Sequence, residues 1–133
     1  VFLHFLQTKE QKEAFLELAH RVAKADGIVN WKEQGYLRSY MYEMNMVAPE
    51  RISSSERELK DIIKEIPEES VRTIFLLEIL MLVYADGDYN EDEQRIAREL
   101  QALFGFSNEK LESCRNWVKS LDNLKIEGIK LIL

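Results

Sequence analysis

The chain is predicted to be all-α, a single domain over residues 1–133 with about seven helices arranged as two pseudo-repeated helix-loop-helix halves. Three observations predict this. Apolar residues recur at helical spacing along most of the chain. Only 5 Gly and 2 Pro punctuate 133 residues, too few for a turn-rich β fold. And one motif occurs twice. Ala25-Asp26-Gly27-Ile28-Val29-Asn30-Trp31-Lys32-Glu33-Gln34 returns 60 residues later as Ala85-Asp86-Gly87-Asp88-Tyr89-Asn90-Glu91-Asp92-Glu93-Gln94. A gapped pattern placed twice between helical segments marks two related units.

The elements follow in order. Thr8 with Gln11 reads as a capping box, and Phe15, Leu18, Ala19, Val22 and Ala25 form one face behind it. Gly27 supplies a left-handed helix end. Asn30 with Glu33 opens a second helix bearing Leu37, Tyr40, Met41 and Met44. Val47 to Ser54, with Pro49, reads as a connector. Ser55 with Glu58 opens a shorter helix carrying Leu59, Ile62, Ile63 and Ile66, which Pro67 stops.

Val71 to Tyr84 is apolar almost all round, so it is expected to be the central buried helix. Glu78 stands inside it. An unpaired buried charge costs several kcal/mol, so Glu78 is expected to find a basic or hydroxyl partner or to face solvent. Gly87 ends this helix and Asn90 with Glu93 starts the next, whose inner face is Ile96, Ala97, Leu100, Leu103 and Phe104. Gly105 ends it. Ser107 caps a sixth helix with Leu111, Cys114, Val118 and Leu121 inward. Leu124 to Leu133, interrupted by Gly128, is expected to dock as a seventh.

Composition excludes several classes. A net charge of −6 repels nucleic acid and anionic lipid, since both kinds of binding rest on basic side chains. The one cysteine, Cys114, permits no internal disulfide and, at helical spacing with Leu111 and Val118, reads as a core thiol. The longest apolar run, Ile74 to Ala85, is too short to span a bilayer. Val1 to Leu6 is apolar but lacks a basic leader and a cleavage site, so no secretion signal is read there and the expected address is the cytoplasm. His4 and His20 have no partner at metal-ligand spacing, and neither a phosphate loop nor a nucleophile elbow is present.

Two Ala-Asp-Gly turns, each with a glutamate six residues after the glycine, resemble the TerB-like family. That family includes tellurite-resistance proteins and the N-terminal part of the DjlA co-chaperones. The resemblance covers about Glu13 to Leu121. It implies an all-helical fold of two similar halves, a stress-response setting, and a metal site built from Asp26 and Glu33 in the first copy and Asp86 and Glu93 in the second. The 133 residues hold no J-domain, so a co-chaperone role is not supported.

Asp88 adds a carboxylate to the second loop where the first has Ile28. The metal candidates are therefore Asp26, Glu33, Asp86, Asp88 and Glu93, with calcium or magnesium as the divalent cation that oxygen ligands favour. An EF-hand is excluded, because positions six and twelve of such a loop hold Glu91 and Ala97. A structural reading stands beside the metal one. Gly27 and Gly87 serve as terminators, Asn30 and Asn90 as caps, Glu33 and Glu93 as capping-box acids. Capping does not explain why Asp precedes Gly in both copies, at the helix end where an acid is unfavourable.

These readings support a non-enzymatic, TerB-like helical module that binds a divalent cation. The alternative is a metal-free helical protein-interaction domain that uses an exposed apolar patch or its terminal segments. A metal-dependent hydrolase is the weakest class, since no His ligand or distinct nucleophile supports it. Protein partners are expected; nucleic acid and membrane insertion are not.

Overall fold

The computed structural model describes residues 1–25, 30–46, 58–84 and 91–133, with side chains outside the description at 23–25, 30–34, 92 and 93. After a 3-10 turn at Leu3–Phe5, the helices are α1 (Lys9–Ala25), α2 (Asn30–Glu43), α3 (Leu59–Lys64), α4 (Glu69–Val83), α5 (Glu91–Phe104) and α6 (Asn108–Ile132). Among the described residues every regular element is helical, as expected.

Among the described residues there are six α-helices, where seven were expected. The sixth and seventh expected helices are one continuous α6 of 25 residues. No proline interrupts it, and one glycine such as Gly128 costs a helix only about 1 kcal/mol relative to alanine. The expected docking of Leu124 to Leu133 is corrected as well: Leu124, Ile129 and Leu131 are exposed. A further difference lies at α3, which begins after Glu58, whose side chain makes no cap hydrogen bond. The expected cap, Ser55, lies outside the described residues.

Local chemistry sets the helix ends. The Thr8 hydroxyl accepts the Gln11 amide at 3.1 Å, while Gln11 Oε1 accepts the Gln7 and Thr8 amides at 3.1 and 3.4 Å. This is the capping box that the sequence announces. Ser107 Oγ accepts the Lys110 amide at 3.1 Å and opens α6. Gly105, at φ 74°, closes α5 in the left-handed conformation that glycine adopts without strain. Asn45, at φ 55°, closes α2 in the same way.

α4 is the central helix, as predicted. It packs on α1, α5 and α6. Eight of its residues are buried, over rather more than half of its circumference: Val71, Phe75, Leu76, Glu78, Ile79, Leu80, Leu82 and Val83, with Ile74, Leu77 and Met81 half-buried on the remaining side. α1 packs on α2, α3 and α4, and contributes Phe15, Leu16, Leu18 and Ala19 to the core. Met44 is buried, with Met41 and Met46 packed against the core, so the methionines are packing residues. The apolar N-terminal segment takes part too: Leu3 and Leu6 are buried beneath the 3-10 turn.

Several backbone hydrogen bonds recur 60 residues apart. Leu6 to Leu3 matches Ile66 to Ile63, both at 3.0 Å. Lys12 to Thr8 at 3.2 Å matches Arg72 to Glu68 at 3.1 Å. At the far ends, Asn45 to Tyr42 and Met46 to Met41 match Gly105 to Ala102 and Phe106 to Gln101. In each of those two ends, the pair of bonds is a Schellman closure. Phe15 and Phe75, also 60 apart, meet edge to face at 5.3 Å and 77° in the middle of the core.

Candidate functional site

The metal candidates stand at the junctions of α1 with α2 and of α4 with α5. α2 begins at Asn30 and α5 at Glu91, the starts that Asn30 and Asn90 announce. Asp26, Asp86 and Asp88 themselves lie outside the described residues, as do the side chains of Glu33 and Glu93. Elsewhere, among the described residues, no three His, Cys, Asp or Glu side chains are grouped to hold a metal ion.

Two carboxylates that sequence reasoning did not pair do meet. Glu78 from α4 and Glu43 from the last turn of α2 close over the first residues of the chain. Glu78 Oε1 accepts the Phe2 amide at 2.7 Å and Glu43 Oε2 accepts the Leu3 amide at 2.7 Å. The Val1 nitrogen donates to both, at 2.8 Å to Glu78 and 2.9 Å to Glu43. Glu78 is thus hydrogen-bonded although only 4% exposed, and its partners are main-chain nitrogens rather than the basic or hydroxyl side chain expected. The local logic is that of an anion at a helix N-terminus, where free amides collect.

Tyr40 lies beside this pair. Its hydroxyl is pushed well above the ordinary 10.0, first by burial and then by the charge of Glu78, with smaller contributions from Tyr36 and Glu43. The clasp is a fastening device: its acceptors are engaged by main-chain donors.

Cys114 is a buried free thiol, as expected. Burial pushes its pKa up, and Lys110 offsets only part of that rise. A thiol held protonated is a poor nucleophile. Arg115, its neighbour, points away to Glu112 at 2.6 Å.

The exposed apolar surface is the other feature of chemical consequence. Phe2, Phe5, Val71, Ile74, Leu77 and Lys110 line an open groove of about 600 Å3 between the N-terminal turn and α4. Phe5 is 59% exposed. The ring of Phe2 meets Trp117 of α6 at 5.3 Å and continues this surface onto that helix. Beyond Trp117, α6 exposes Leu124, Ile126, Ile129, Leu131 and Ile132. Sequence reasoning took the last of these for docking residues. Their helical spacing is legible, but nothing local says that no other helix covers them. No helix among the described residues is long and apolar enough to cross a membrane.

No protein-family model, curated protein or solved structure matches the chain.

Proposed function

We propose that this chain is a non-enzymatic helical module of the TerB-like kind. It is built from two related units of 60 residues, and its acidic Asp-Gly loops bind a divalent cation, calcium or magnesium. The candidate ligands are Asp26, Glu33, Asp86, Asp88 and Glu93, and the setting is a cytoplasmic stress response. One observation supports the two-unit reading: the first backbone bonds of α1 and α4 and the Schellman closures after α2 and α5 recur at an offset of 60. The two loops therefore join corresponding helices. Acids in a converged cluster repel one another, and a divalent cation relieves that repulsion.

Calorimetric titration with calcium and with magnesium tests this. Binding to the parent chain, weakened in an Asp86→Asn, Asp88→Asn variant, supports the reading. A hundredfold excess of cation over its dissociation constant raises stability by about 2.7 kcal/mol. No heat and no rise in melting temperature at millimolar cation removes the metal site. The metal-free interaction domain is then the better reading. Its support is the apolar surface from Phe5 to Leu131.

A further inference from the structure

We draw no further inference here: the strongest candidate, the open apolar groove between the N-terminal 3-10 turn and α4, lined by Phe2, Phe5, Val71, Ile74, Leu77 and Lys110, is an unpartnered surface, and nothing in the structure shows what covers it.

Discussion

Glu78 of α4 and Phe2 at the start of the 3-10 turn are joined by a 2.7 Å hydrogen bond, in which a carboxylate sealed in the most apolar helix accepts a main-chain amide. Sixty residues earlier the corresponding position is Leu18, fully buried. The acid thus occupies a slot whose counterpart is hydrocarbon. Glu78→Ala leaves the Phe2 amide without its acceptor, which costs about 1–3 kcal/mol, and opens a gap in the core. Glu78→Gln keeps an acceptor oxygen and is expected to cost less. Urea midpoints rank the two. Equal midpoints for parent and Glu78→Ala would show that the clasp contributes nothing.

Tyr40 provides a pH test. Its folded pKa is raised above 10.0, chiefly by burial, so the folded chain holds the phenolic proton more tightly than the unfolded chain does. Its contribution to stability is fully present below that value and is lost as pH rises beyond it. The parent is expected to lose stability above pH 10, and Tyr40→Phe to lose less over the same window. Urea midpoints at neutral and alkaline pH measure this. Parallel curves for the two chains would exclude Tyr40 as the cause.

Asn45 and Gly105 close α2 and α5 with the same pair of backbone bonds. A side chain at positive φ costs about 1–2 kcal/mol unless it is Asn or Asp. Gly105→Ala is expected to destabilise by that amount and Gly105→Asn by less. Asn45→Gly is expected to be neutral or stabilising. Thermal melts of the three variants check the order. Gly105→Ala matching the parent would mean that α5 ends by other means.

What was legible was local. Thr8 with Gln11, Ser107 and Gly105 act within four residues of themselves, so their chemistry stands in the sequence and their roles follow from it. α4 was legible through its all-round apolar character. Glu43 was not, because an acid in the last turn of a helix reads as a solvated residue. Its meaning comes from amides 40 residues away. The distal half of α6 was misjudged for the converse reason. Apolar spacing tells which face seeks cover, and only the remaining helices decide whether the same chain provides it. As for the metal candidates, their residue types and spacing were legible, but whether Asp26 and Asp86 converge depends on segments outside the described residues.

Arg72 makes a contact that ties two helix ends to a third helix. From α4 its Nε donates to the Ile66 carbonyl at 2.7 Å, just past α3, and its Nη1 donates to the Phe104 carbonyl at 3.3 Å, at the end of α5. Carbonyls at helix C-termini have no intrahelical partner and carry the negative end of the dipole. A guanidinium answers both needs, and its fork reaches two acceptors at once. Hydrogen bonds to charged groups are worth about 1.5–3 kcal/mol, so Arg72→Met is expected to destabilise the fold by an amount in that range. Arg72→Lys keeps the charge without the fork and is expected to recover only part of the loss. Amide exchange locates the effect: Gly105 and Phe106, whose amides complete the closure of α5, are expected to exchange faster in Arg72→Met. Full recovery by lysine would show that charge at the helix ends, and not two-point attachment, is what Arg72 provides.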